Sequence, residues 1–117
     1  MGLDMGLKDS NNNELMYWRK VNQIHKWFVT NIQKGTDDCK DYEVTYEQIE
    51  ELLKTIWLVL NCKGLSEEML PTTSGFFFGN TDYDGDYFED LKHTFSTLTE
   101  KLKGYSKSEK FTYWSSW

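Results

Sequence analysis

The sequence has little of what staples small folds together. Its two cysteines, Cys39 and Cys62, form no CxxC, and no histidine is spaced to complete a zinc set, so neither a disulfide framework nor a structural metal is expected. Two free thiols fit a reducing compartment, and the amino end lacks the pattern of a secretory signal, so a cytoplasmic protein is expected. No apolar run approaches the roughly 20 residues that cross a bilayer, which argues against a membrane partner. Pro71 is the only proline, and there are no internal repeats, low-complexity tracts or linkers, so residues 1–117 read as one domain. Catalytic signatures are missing too: there is no GxSxG, no HExxH and no Lys-Ser/Thr ending of a P-loop.

What the chain does have is rings and acids. Apolar residues make up 38% and aromatics 16%, so Trp, Tyr and Phe must supply much of the burial. A length of 117 residues suffices for a core without staples. Thirteen Lys plus Arg against nineteen Asp plus Glu give a net charge of -6, which does not favour bulk nucleic acid or an anionic bilayer. The charge is uneven. Residues 14–34 carry Arg19, Lys20, Lys26 and Lys34 against Glu14, whereas residues 35–51 carry Lys40 against Asp37, Asp38, Asp41, Glu43, Glu47, Glu50 and Glu51.

Periodicity predicts three helices. From Glu14 to Lys34, Tyr17, Val21, Ile24, Phe28 and Ile32 recur at three and four residues, and Gly35 supplies a stop. The connector 36–44 leaves room for a short strand at Tyr42 to Val44. Thr45 and Gln48 have the spacing of a capping box, and Ile49, Leu52, Leu53, Ile56 and Leu60 continue it as a second helix before Gly64. Residues 65–82 lack helical period and read as an ordered loop or short strand. Tyr87, Leu91, Phe95, Leu98 and Leu102 give a third helix over about 84–103. The tail FTYWSSW alternates as a strand whose natural partner is LDM near the amino end. The expected fold is therefore mainly α (α+β): a three-helix domain with a minor antiparallel sheet formed by the chain ends.

Three stretches can carry chemistry. On a helix over 14–34, Trp18, Asn22 and His25 share one stripe, with Arg19 and Lys26 on the adjoining one; an aromatic ring, an amide, an imidazole and two cations together suit a planar anion. The bland alternative is that Trp18 is core and His25 a satisfied edge histidine. In SGFFFG, Phe76, Phe77 and Phe78 cannot all enter one face of a core, while Ser74 and the amides around Gly75 and Gly79 could cradle a phosphate. The alternative there is an aromatic plug over the bundle. The acids Asp82, Asp84 and Asp86 follow, but their glycine sits too early for a calcium loop, so helix capping explains them better and no metal or cofactor is expected.

The stretches Met1 to Met5, Tyr17 to Phe28, Leu70 to Tyr87 and Ser115 to Trp117 resemble a family of small bacteriophage and prophage proteins. That family opens with MGLDMYL, contains YWRKAN-x-IHKWF and an LPT-x-SGFFFG loop, and finishes in SSW. This chain departs from the pattern after MGLDM, where GLKDSNNN replaces a longer tyrosine-rich strand. The resemblance implies a phage accessory protein of the kind that counters host defence, and it brings no catalytic residue.

Three functional readings follow. The first is a non-enzymatic binder that sequesters a nucleotide-like immune signal, with Trp18 and Phe76 to Phe78 as stacking surfaces, Arg19, Asn22, His25 and Lys26 as polar contacts, Ser74, Gly75 and Gly79 on the phosphate side, and Asp82 and Tyr83 beside them. The second is an acidic inhibitor that docks residues 36–51 and 82–90 on a basic groove of a host defence protein. The third is a small hydrolase using His25 with Asp82 or Asp84. Exposed rings on so small a chain also make a homodimer compatible with the sequence.

Overall fold

A computed structural model describes residues 2–75 and 79–117. Its elements run β1 (Asp4–Lys8), β2 (Glu14–Arg19), α1 (Asn22–Asn31), β3 (Tyr42–Thr45), α2 (Tyr46–Asn61), a 3-10 turn (Lys63–Leu65), α3 (Ser66–Met69), α4 (Gly85–Leu102) and β4 (Lys110–Ser116). The four strands form one antiparallel sheet in the order β2-β1-β4-β3. This corrects the expected three-helix domain with a minor sheet. The fold is α+β, with four helices among the described residues and a sheet to which the interior of the chain contributes β2 and β3.

The largest departure lies at residues 14–21, where a helix over 14–34 is expected. Tyr17 and Arg19 point outward while Met16 and Trp18 point inward, and the stretch pairs with β1 through Met5 to Trp18 and Leu7 to Met16. Two periods overlap here. Tyr17, Val21 and Ile24 satisfy a helical spacing, but Tyr17 and Trp18 favour a pleated surface, and β1 needs a partner on its free side. Leu15 is an extra residue at a bulge opposite Leu7 and Lys8, so it and Met16 are both buried. Lys20, with φ of 58°, turns the chain out of the strand, and the helix begins only at Asn22.

The chain ends do lie side by side, β1 against β4 from Asp4 with Ser116 to Lys8 with Thr112, but as the central pair of the sheet. β3 adds itself to the other side of β4. Thr45 then ends β3 and caps α2: its hydroxyl accepts from the Gln48 amide, and the Gln48 side chain accepts from the Thr45 amide. α4 is capped by Asp84, whose carboxylate accepts from the Tyr87 amide. Within the stretch 65–82, α3 adds a single turn that no sequence period announces.

One sheet face is packed by helices. Met5, Leu7, Trp18, Phe111 and Tyr113 from the strands meet Ile24 and Phe28 of α1, Ile49, Leu52 and Ile56 of α2, and Leu91 and Leu98 of α4. Phe28 and Tyr113 stack with ring centroids 3.8 Å apart and nearly parallel planes. The other face, carrying Asp4, Lys8, Glu14, Tyr17, Arg19, Glu43, Lys110, Thr112 and Trp114, has no helix packed on it among the described residues and consists of exposed or half-buried side chains around the covered Gly6. None of the described helices is long and apolar enough to cross a membrane.

Candidate functional site

The two stretches of interest, at the β2–α1 junction and over residues 70–87, meet in space, and Asn22 joins them. Its side-chain amide donates to the Asn80 carbonyl at 2.9 Å and its oxygen accepts from the Thr73 amide at 3.0 Å. Gly79 then comes down on the junction. Its φ is +94°, and a β-carbon there would lie 3.0 Å from both the Lys20 β-carbon and the Lys20 carbonyl, so glycine serves both conformation and approach. Gln23 donates to the Tyr87 carbonyl at 3.2 Å, and the buried Tyr87 hydroxyl donates to the Leu70 carbonyl at 2.7 Å, tying the loop to α4. Burial drives the Tyr87 phenol well above its ordinary value, so it stays a donor.

Between these parts lies a cleft of about 340 Å³. Arg19, Lys20 and Gln23 form one wall, and Asp82, Asp84, Asp86, Glu89 and Asp90 form the other, with Gly79 and Asn80 at the loop. Burial, reinforced by Asp86, pushes the Asp90 carboxyl above its ordinary value. That is the response of a carboxylate taken partly out of water, with neighbouring acids adding to it. A phosphate entering here would face five carboxylates against two cations, one of which, Arg19, is already 2.7 Å from Asp4. Among the described residues, no three His, Cys, Asp or Glu side chains come together in a set that could hold a metal ion.

Several predicted ligand contacts fall elsewhere. Trp18 is buried, its indole N–H donating to Thr94 Oγ1 at 2.8 Å, and offers no stacking face to solvent. His25 is fully buried below the sheet: Tyr113 Oη is 2.6 Å from Nδ1 and Asp37 Oδ2 is 2.9 Å from Nε2. Burial lowers the His25 pKa despite the pull of Asp37, so the neutral ring accepts from Tyr113 and donates to Asp37. The Trp117 indole also donates to Asp37, at 3.1 Å. With both nitrogens engaged and its carboxylate partner at Asp37, His25 forms no acid/base pair with Asp82 or Asp84, which line the cleft. This corrects the helical stripe of Trp18, Asn22 and His25: a strand residue, the first residue of α1 and a buried histidine replace it.

Lys26 lies on another side of α1, in a hollow of about 460 Å³ shared with Trp27, Glu68, Met69 and Pro71. Ser74 and Gly75 are exposed on the loop and are not among the residues that line the cleft. Tyr83 is exposed and accepts from the Thr72 amide at 3.1 Å, packing on Tyr87 at 5.0 Å between centroids. The expected wall of Phe76, Phe77 and Phe78 lies outside the described residues. Sequence reasoning missed Asp37 and Tyr113 as partners of His25; the alternation of FTYWSSW, which sends Phe111, Tyr113 and Ser115 to one face, was the available signal. Compared with family models, curated proteins and solved structures, the chain matches none of them.

Proposed function

We propose that the protein is a non-enzymatic, acidic docking protein of the phage accessory type, and that it acts by presenting the carboxylate wall of the cleft to cationic side chains of a host defence protein. The observation that carries this reading is the convergence of Asp82, Asp84, Asp86, Glu89 and Asp90 on one wall, four of them solvent-exposed. Such a wall steers and orients a basic partner and repels nucleotides and nucleic acid alike. No covalent step is needed, and the burial of His25 is consistent with that.

The test is affinity capture from a bacterial host lysate at low and high salt, comparing the native chain with D82N/D84N/D86N. The Asn at 84 keeps a cap on α4, so the variant should fold. A basic protein held by the native chain, released by salt and not captured by the variant, is the expected result. A partner bound equally well by the variant would overturn the reading, as would equal retention at high salt.

A further inference from the structure

The carboxylate wall accounts for attraction of positive charge to the cleft, and the residue opposite it narrows which positive group fits. Gln23 is 3% exposed and lines the cleft beside Lys20. Its Nε2 is committed to the Tyr87 carbonyl, a group that can only accept, which fixes the orientation of the amide. Oε1 accepts from no described residue. It is the polar atom that Gln23 has left to offer, and an amide oxygen on so deeply buried a residue calls for a donor.

Several charges around the cleft already have partners, which isolates those that do not. Arg19 lies 2.7 Å from Asp4, Lys92 lies 3.6 Å from Glu89, and Asp84 caps α4. The carboxylates of Asp82, Asp86 and Asp90 make no hydrogen bond or ion pair among the described residues, and Lys20 is the cation left to face them. Asp90 is half-buried, and burial together with Asp86 holds its carboxyl above the ordinary range against the pull of His93. A cation seated beside Asp90 would relieve that repulsion.

Uncommitted acceptors therefore stand on both walls of a partly buried space, Gln23 Oε1 on one and Asp86 and Asp90 on the other. At about 340 Å³ the cleft has room for one long side chain rather than for a helix, whose diameter is about 10–12 Å. A guanidinium spreads five N–H donors around a rigid plane and is weakly hydrated, whereas an ammonium gathers three at one strongly hydrated point. The guanidinium can meet acceptors on two sides at once, and loses less hydration on entering.

Resting on the docking role proposed above, we infer that the partner presents an arginine side chain to the cleft, its guanidinium bridging Gln23 Oε1 and the carboxylates of Asp86 and Asp90.

The test is NMR titration of the isotopically labelled chain with Nα-acetyl-arginine amide, with the corresponding lysine and citrulline amides at matched ionic strength. The arginine probe should shift the Gln23 side-chain NH2 signals and the Asp86 and Asp90 amides below about 50 mM, a generous limit for a single residue. The lysine probe should bind about 5-fold more weakly or worse, and uncharged citrulline should leave the signals in place. Gln23→Met keeps the length of the side chain without its acceptor and should weaken the arginine probe about 10-fold or more, the range for a hydrogen bond to a charged group. Asp90→Asn should weaken it several-fold, and serves if Gln23→Met does not fold. Equal binding of arginine and lysine, no shift at Gln23, or a folded Gln23→Met or Asp90→Asn chain that binds arginine unchanged would overturn the inference. A native chain that fails these tests and still captures a basic partner in a salt-sensitive way loses the arginine and keeps the docking role. One that passes them and captures nothing keeps the arginine site and loses the docking role.

Discussion

The cleft and the open sheet face share Arg19, yet they are built in different ways. The cleft owes its character to carboxylates on a loop and the first turns of α4; Asp82, Asp86 and Glu89 point into water, while Asp84 also caps the helix and Asp90 is half-buried. The sheet face owes its character to strand register, to Gly6 and to the Trp114 indole laid over that glycine, so its chemistry is inseparable from the fold. At its exposed acids other than the cap Asp84, a surface of the first kind can be rewritten without disturbing the molecule. One of the second kind cannot.

Substitutions should expose that difference. Gly6→Val puts two methyl groups where the Trp114 indole lies, and should cost about 1–3 kcal/mol in denaturant unfolding, as overpacking does. It should also expose the indole, visible as a shift in the Trp114 N–H resonance. On the cleft side, Asp84→Ala removes the α4 cap and should cost about 1 kcal/mol, while Asp84→Asn should cost far less. Asp82→Asn and Asp86→Asn, on exposed positions, should fall within about 0.5 kcal/mol of the native chain. A loss above that range for either would mean that the acids help hold the loop, and the contrast between the two surfaces would fail.

The pH dependence offers a finer version of the same comparison. His25 lies under the sheet with its pKa below the ordinary 6.5, so both states are neutral above that value. As the pH falls below 6.5, the unfolded chain takes up a proton that the folded chain refuses, and thermal stability should decline. Asp90 in the cleft has the opposite sign: its pKa is raised above 3.8, so the folded chain holds a proton more tightly in the window just above that value, and acidification there should return some stability. Melting temperatures of the native chain and of Asp90→Asn between pH 8 and 4 would check both; the variant should keep the first decline and lose the partial recovery.

How much of this was legible in the sequence depended on whether the signal was local. The capping box at Thr45 and Gln48 and the apolar period of α2 are read from neighbouring residues, and they are found in the structure. β4 shows as alternation for the same reason. Residues 14–21 misled because Trp18 satisfies two periods at once, and the choice between them was made by β1, a partner distant in pattern though near in sequence. The site was harder still. Asn22 reaches Asn80, and His25 reaches Tyr113, across separations that no window of periodicity spans. The acids of the cleft were visible as a run, but that Arg19 and Lys20 face them follows only from the chain turning at Lys20.

The placement of β4 between β1 and β3 has a consequence for how the molecule is made. β1 and β2 can pair as soon as both have left the ribosome, whereas β3 has no neighbour in the sheet until residues 110–116 emerge. Until then Leu7 and Val44, which face the core from strands on either side of the gap, have nothing between them. A nascent chain stalled before position 110 is thus open to proteases and chaperones, and cellular quality control can discard it before it reaches any partner.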